Sequence, residues 1–491
     1  MKRPRKGSRK LEKRWTLLTI ATILLAAVPL LYFYNANQGY WWDEAVYLGL
    51  ARNVYEGNGY WINTPWQESF RPPLFAYMTA YIWKAFGFSE PLVKFIPPLF
   101  GILSVVVLYF FARRLYGDRE IVFWACLLLA TSHVFLFYSE KFLTESIFVF
   151  LVTLSLYAFY LGFEKSSWLF PLSAVLTAAA FLTRYPALII MGVYILYPIY
   201  FQFTQKKKYK GFGKKLKNSF WVKSWPYWLG FALFLAILVP WFQFNLMVFG
   251  SPVGAMSTGL GTVTEGWYIG EWYFYFTHWT EIFGLVGIFA IPGIVALIVR
   301  RNNPNTLILL TVLLSLIFFM AIPRKETRYL LHFFSIYMVM IAVGVKDFRV
   351  WIRSNKTIPV VALVFILINF AAGIQMIAQD IPAGSSLKEA GWWIGERIPE
   401  GTTIMSQNIP QLFYAAGERI VYFPDRAEDL QKAIQNWSVS YIVIESREPT
   451  YPEWVWRWEG YEKFPSSVFD QFGPPQEFRE YNKTYVWVYK A

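Results

Sequence analysis

The chain has 491 residues, 56% hydrophobic and 20% aromatic, with charged residues held to 16% and a formal net charge of +14. This composition excludes an ordinary soluble enzyme and a disordered chain, and the single cysteine, Cys126, excludes an intramolecular disulfide. The positive charge sits in short segments beside apolar runs, so it reads as topology and contact with anionic lipid, and nucleic-acid binding is not inferred from it.

In chain order, residues 2 to 14 carry eight Lys and Arg and lead into an apolar run. No small-residue cleavage site follows Leu31, so this start is read as an uncleaved first helix. Crossing ~30 Å of hydrocarbon takes roughly 20 helical residues. Apolar runs predict about eleven transmembrane helices, at 16 to 34, 93 to 112, 120 to 138, 146 to 162, 168 to 183, 186 to 203, 226 to 246, 280 to 299, 305 to 321, 329 to 345 and 357 to 377. With the N-terminus cytoplasmic, the cytoplasmic segments hold 26 Lys and Arg, eight of them in residues 204 to 224, against eight in the opposite loops. That asymmetry orients the chain as a multi-pass protein of the cell membrane whose C-terminal domain is extracytoplasmic. Residues 1 to 378 form the all-α membrane domain and 379 to 491 a small α/β domain.

The first outer loop, residues 35 to 91, is too long for a plain connector, and its patterning predicts helices over Asp43–Glu56 and Pro73–Phe86, both able to lie in the membrane interface. In the tail, helices are expected over Ser386–Ile398, Pro410–Ala416 and Ala427–Trp437. Strands are expected over Thr402–Ser406, Arg419–Phe423 and Tyr441–Glu445, with Thr484–Tyr489 as an edge strand. Such alternation predicts a small parallel sheet covered by helices. No glycine-rich nucleotide motif occurs there, and the chain shows no internal repeat of the kind that builds inverted-repeat transporters. Asn436 and Asn482 head N-x-S/T acceptor sequences for N-glycosylation.

The fixed charges of the outer face are few. Acidic candidates among them are Asp43, Glu44, Glu68, Glu140, Glu145, Glu265, Glu271 and Glu281, and basic ones Arg52, Arg71, Lys141, Arg184, Arg324, Lys325 and Arg328. Carboxylates and arginines gathered on one membrane face suit a site in which an acid activates an acceptor while cations hold an anionic head group. Asp43 and Glu44 fit a general base with a positioning or metal-binding neighbour, against the plainer role of capping an interfacial helix. Arg71 precedes Pro72-Pro73, a stiff turn that fixes a bidentate phosphate ligand or a snorkelling arginine. Glu145 is costly to bury without a partner, and Arg184 is its counter-charge. Arg324, Lys325 and Arg328 run against the charge trend, so they call for an anion, either a lipid phosphate or a nearby acid such as Glu326. His278 stands without a partner at metal-ligand spacing and reads as an interfacial hydrogen-bonding residue.

The acidic pair, FRPPLFAY, FLTESIFVF, FLTRYPAL and ETRYLLHFF occur in that order over residues 15 to 345. Together they resemble the GT-C superfamily of membrane glycosyltransferases, in the branch of the protein O-mannosyltransferases and aminoarabinose transferases. The resemblance implies inverting transfer of a sugar from a polyprenyl-phosphate carrier to an acceptor hydroxyl on the outer face. It implies that Asp43, beside Glu44, is the general base and that Arg71, Arg324, Lys325, Arg328 and Tyr329 hold the donor phosphate. Glu145, Arg184, Glu140 and His278 would line the cavity. Val46 and Phe70 stand where some aminoarabinose-branch members carry an arginine and a glutamate, so no metal is assigned, and Mg²⁺ or Mn²⁺ on Asp43 or Glu44 stays open. The rival is a non-enzymatic flippase or binding protein for lipid-linked sugars. The sugar, the carrier and whether the acceptor is protein, lipid or glycan are not legible.

Overall fold

The computed structural model describes residues 6–64, 67–204, 225–264, 269–353, 356–399, 401–417 and 419–491. Glu265 and the basic segment 205 to 224 lie outside the described residues. The chain divides into two compact units. The first comprises residues 1–34, 70–74 and 94–377; the second comprises 35–69, 75–93 and 378–491.

Each of the eleven apolar runs falls on helix. Among the described residues seven helices are long and apolar enough to cross a membrane: Glu90–Tyr116, Glu145–Glu164, Tyr185–Gln202, Trp225–Phe249, Asn303–Ala321, Thr327–Trp351 and Thr357–Gly395. The pair Arg119–Ala130 and His133–Glu140 makes an eighth if counted as one span, bent by 53°. The bend has a local cause: the Ser132 hydroxyl accepts the Phe135 N–H at 3.3 Å and starts a new helix there. Leu17–Phe33, Leu169–Phe181 and Leu285–Val299 are shorter apolar helices, so the expected count of eleven crossings stands above the seven or eight of full length. The protein is a multi-pass membrane protein. Within the first unit, Thr327–Trp351 is the central helix, 94% of its most apolar stretch being buried by its neighbours. Its glycine sets the spacing there: a Cβ on Gly344 would lie 1.9 Å from the Phe289 carbonyl oxygen.

In the second unit the loop helices are Trp42–Glu56 and Leu74–Phe86, the latter straddling the division between units, close to the bounds read from sequence. The tail begins with a helix over Ser385–Gly395 and then holds strands β1 (Thr403–Met405), β2 (Arg419–Val421), β3 (Val439–Glu445), β4 (Trp456–Glu459), β5 (Glu462–Pro465), β6 (Gln476–Glu480) and β7 (Lys483–Lys490). Five of them form one sheet in the order β2-β1-β3-β7-β6, and β4 with β5 forms a separate hairpin. The expected parallel sheet is therefore corrected to a mixed one. β1 pairs in parallel with β2 and β3, whereas β7 runs antiparallel between β3 and β6. The edge position expected for Thr484–Tyr489 is corrected too, because β6 covers its far side. Tyr481 and Asn482, with φ of 51° and 61°, make the tight turn that folds β6 back onto β7.

The loop helix and the tail belong to the same unit through specific bonds. Gln38 N–H donates to the Ile381 carbonyl at 2.8 Å, and the Trp41 indole donates to Asp380 at 3.0 Å. Asn63 exchanges two hydrogen bonds with the backbone of Ile420 in β2, at 2.9 and 2.6 Å. Tail helices Ser385–Gly395 and Ile409–Ala416 pack on one side of the sheet around Leu387, Ile394, Leu412 and Val486. The other side is closed by Phe423, Tyr451, Phe469 and Trp487.

Candidate functional site

In the second unit the acidic pair opens the helix Trp42–Glu56, in the first turn, where two carboxylates sit favourably on the helix dipole. Their environments differ. Glu44 is 2% exposed, and its Oε2 accepts the N–H of Trp41 at 2.9 Å, the return half of a capping box. Asp43, one residue earlier, is half-buried. Glu44 thus spends one carboxylate oxygen on its own helix start, and Asp43 is the less buried of the two acids. Among the described residues no group of three or more His, Cys, Asp or Glu gathers to hold a metal ion.

In the first unit, sequence-distant charges meet. Glu145, 1% exposed, begins the helix Glu145–Glu164. Arg184, at the break between Leu169–Phe181 and the next helix, donates through one N–H-bearing nitrogen to Glu145 Oε1 at 2.6 Å and to the Thr144 hydroxyl at 3.0 Å. This is the counter-charge expected from the sequence. Arg328 reaches the same Oε1 at 3.8 Å and donates through Nε to Glu326 Oε2. Arg324 lies 2.6 Å from the other oxygen of Glu326, towards which the Tyr329 hydroxyl also points at 3.4 Å. Three guanidinium groups and two carboxylates therefore form one alternating chain. Glu145 Oε2 is buried and accepts no hydrogen bond among the described residues.

Arg71 belongs to this unit as well. The segment Phe70–Leu74 is tied to the Arg184 corner twice: Tyr185 hydroxyl donates to the Phe70 carbonyl at 2.6 Å, and Leu74 N–H donates to the Leu182 carbonyl at 2.8 Å. Beside that corner opens a cavity of about 220 Å³ walled by Tyr185, Phe181, Phe234, Leu238, Trp241 and Met256. Its wall is almost wholly apolar, so it suits hydrocarbon rather than water.

Lys325 does not fit the expected role on a donor phosphate. It is 5% exposed, and its ammonium donates to the carbonyls of Phe319 at 3.2 Å, Met320 at 2.8 Å and Ile322. An ammonium has three donors, and all three serve the C-terminal end of Asn303–Ala321. Burial also pulls its pKa below the usual lysine range. His278 is held within its own turn, stacked on Phe274 at 3.9 Å and donating from Nδ1 to the Phe274 carbonyl at 3.0 Å. Glu140, 3% exposed, lies 3.7 Å from the ammonium of Lys141, itself 1% exposed. Sequence reasoning missed Tyr185 and the cavity wall on Trp225–Phe249. Tyr185 was visible as the neighbour of Arg184, but the wall was not, since one apolar residue on a spanning helix looks like another.

Residues 70–244 match the family model of the dolichyl-phosphate-mannose-protein mannosyltransferases, and residues 269–384 that of the Alg9-like mannosyltransferase family. A curated relative, an uncharacterized protein of Aquifex aeolicus (strain VF5), is 30% identical over 171 residues, a match spanning 34% of each chain. Among solved structures, ArnT from Cupriavidus metallidurans bound to undecaprenyl phosphate superposes with a TM-score of 0.63 at 13% identity, over 96% of this chain and 98% of that one. The oligosaccharyltransferase AglB from Archaeoglobus fulgidus, in complex with an inhibitory peptide and a dolichol-phosphate, gives 0.64 at 14% identity over 87% and 69%. At such identities the likeness carries the fold alone, a polytopic helical domain followed by a small α/β domain.

Proposed function

We propose that this chain is a glycosyltransferase of the GT-C superfamily that moves a sugar from a polyprenyl-phosphate donor to an acceptor hydroxyl at the extracytoplasmic side of the cell membrane. The observation that carries the reading is the arginine chain of Arg184, Arg328 and Arg324 next to an apolar cavity that shares the Tyr185 corner. A ligand with a phosphate at one end and a hydrocarbon chain at the other matches both features. ArnT and AglB, in the structures named above, hold undecaprenyl phosphate and dolichol-phosphate respectively, and the mannosyltransferase family models support the same class of donor.

In this reading Asp43 takes the proton of the acceptor hydroxyl as its oxygen attacks the anomeric carbon. The bond from that carbon to the donor phosphate breaks, and the polyprenyl phosphate leaves with the electron pair, inverting the anomeric centre. Arg71, Arg324 and Arg328 stabilise the charge left on the phosphate. Glu145, paired with Arg184 and close to Arg328, positions these arginines. No step is routed through a metal.

The test is turnover of a polyprenyl-phosphate sugar with a hydroxyl acceptor by purified protein, read as release of lipid phosphate. Asp43→Asn should lower kcat by about 10²–10⁴-fold while leaving the thermal midpoint in place. Near-normal turnover in that variant would remove Asp43 as the base. Binding of donor without release in the wild type would mean a carrier protein instead.

A further inference from the structure

Within the second unit lies a second cavity, of about 260 Å³, that the transfer reaction does not use. Its walls are Arg52 and Tyr55 from the loop helix, Phe88 and Glu90 from the end of the loop, and Trp392 and Tyr414 from the two tail helices. We infer that this cavity binds one sugar residue of a glycan. The inference stands independently of the transfer reading.

Three features carry it. The first is fixed polarity. Glu90 Oε1 accepts the hydroxyls of Tyr40 at 2.7 Å and Tyr414 at 3.0 Å, and its Oε2 lies 3.7 Å from the Lys388 ammonium. Burial, and then the charge of Glu90, push both tyrosine hydroxyls above the usual tyrosine range, so they stay protonated and keep donating. Arg52 is anchored by Glu56 at 2.8 Å and by the Tyr414 carbonyl at 3.1 Å. Those two bonds use two of the five N–H donors of a guanidinium. The rim is thus set before any ligand arrives, which lowers the ordering cost of binding.

The second feature is open aromatic surface beside that polarity. Trp392 is 47% exposed and Phe88 49% exposed. Lys388 sits 4.5 Å over the Trp392 ring and 4.4 Å over the Tyr40 ring, which holds the indole in place from one side. A sugar ring has one face of C–H groups and an equator of hydroxyls. The aromatic faces receive the first, and Arg52, Glu56 and Glu90 receive the second.

The third is charge and size. The charged side chains around the cavity are two of each sign, Arg52 and Lys388 against Glu56 and Glu90, so the site favours a neutral hydroxyl-rich ligand over a phosphate or a basic peptide. Its volume falls just under the roughly 300 Å³ at which pockets for drug-sized ligands begin.

The experiment uses full-length protein in detergent and a panel of free mono- and disaccharides built from mannose, glucose and galactose, with binding read by saturation-transfer NMR and by titration. At least one should saturate in the millimolar range or below. Trp392→Ala should weaken it about tenfold and Trp392→Phe should keep most of it, because the phenyl ring still offers a face. Arg52→Ala should weaken it as well. Asp43→Asn should leave saccharide binding unchanged, so loss of transfer and loss of this site are read separately. No saturable binding by any saccharide, or equal binding by wild type and Trp392→Ala, would overturn the inference.

Discussion

The charged cluster of the first unit and that of the second are built from similar parts with different stoichiometry. Around Glu145 and Glu326 stand three arginines, with an apolar cavity alongside. Around Glu90 and Glu56 stand one arginine and one lysine, with tyrosine hydroxyls turned inwards and an indole left open. The first suits an anionic head on a hydrocarbon tail; the second suits a neutral ring. Counting residues in a sequence does not separate them, because each is assembled from segments far apart in the chain.

The largest way to break the first cluster is to remove its inner carboxylate. Glu145→Ala takes the carboxylate from between Arg184 and Arg328, a change that costs about 3–5 kcal/mol when one half of a buried pair is lost. Thermal unfolding in detergent should show it as the steepest fall among the single variants, and an unchanged midpoint would mean that the pair is not holding the corner. Removing an outer arginine tests chemistry rather than stability. Arg328→Ala should reduce lipid-phosphate release by about 10²–10³-fold, the usual effect of deleting one donor aimed at developing charge. If release falls no further than in Lys325→Met, whose ammonium serves helix carbonyls, the arginine chain is not the phosphate site.

The smallest effect belongs to the second cluster. Glu90→Gln keeps the shape but weakens two hydrogen bonds from tyrosines, at about 1–3 kcal/mol in stability near neutral pH. The pH dependence has a definite sign. Tyr40 and Tyr414 have folded-state pKa values raised by burial and by Glu90, so their contribution is whole below the ordinary tyrosine range and is lost as pH rises through the raised values. Removing the charge of Glu90 lessens that raise but leaves the burial, so wild type and Glu90→Gln should lose stability in parallel just above the ordinary tyrosine range, and the gap between them should narrow only at higher pH, from the variant's own raised value upward. A gap that closed already at the ordinary tyrosine value would show that burial is not what raises the hydroxyls.

The sequence alone determined the membrane class, the helical runs, the first-loop helices and most of the tail's elements, because apolar periodicity and length act locally and need no partner. It also put Arg184 opposite Glu145, since a carboxylate at the end of an apolar helix demands a counter-charge and few cations were on offer. It did not determine what Glu44 and Lys325 do. Both are charged and flank suggestive motifs, yet one closes the start of its own helix and the other the end of its neighbour, and such caps depend on where the backbone stops. Nor did it give the place of β7 inside the sheet, because β6, with its run of charged residues, carries too weak an alternation to announce itself. The two cavities were beyond reach for the same reason: a hollow is a property of surfaces meeting, and only tertiary packing decides which aromatic faces remain uncovered.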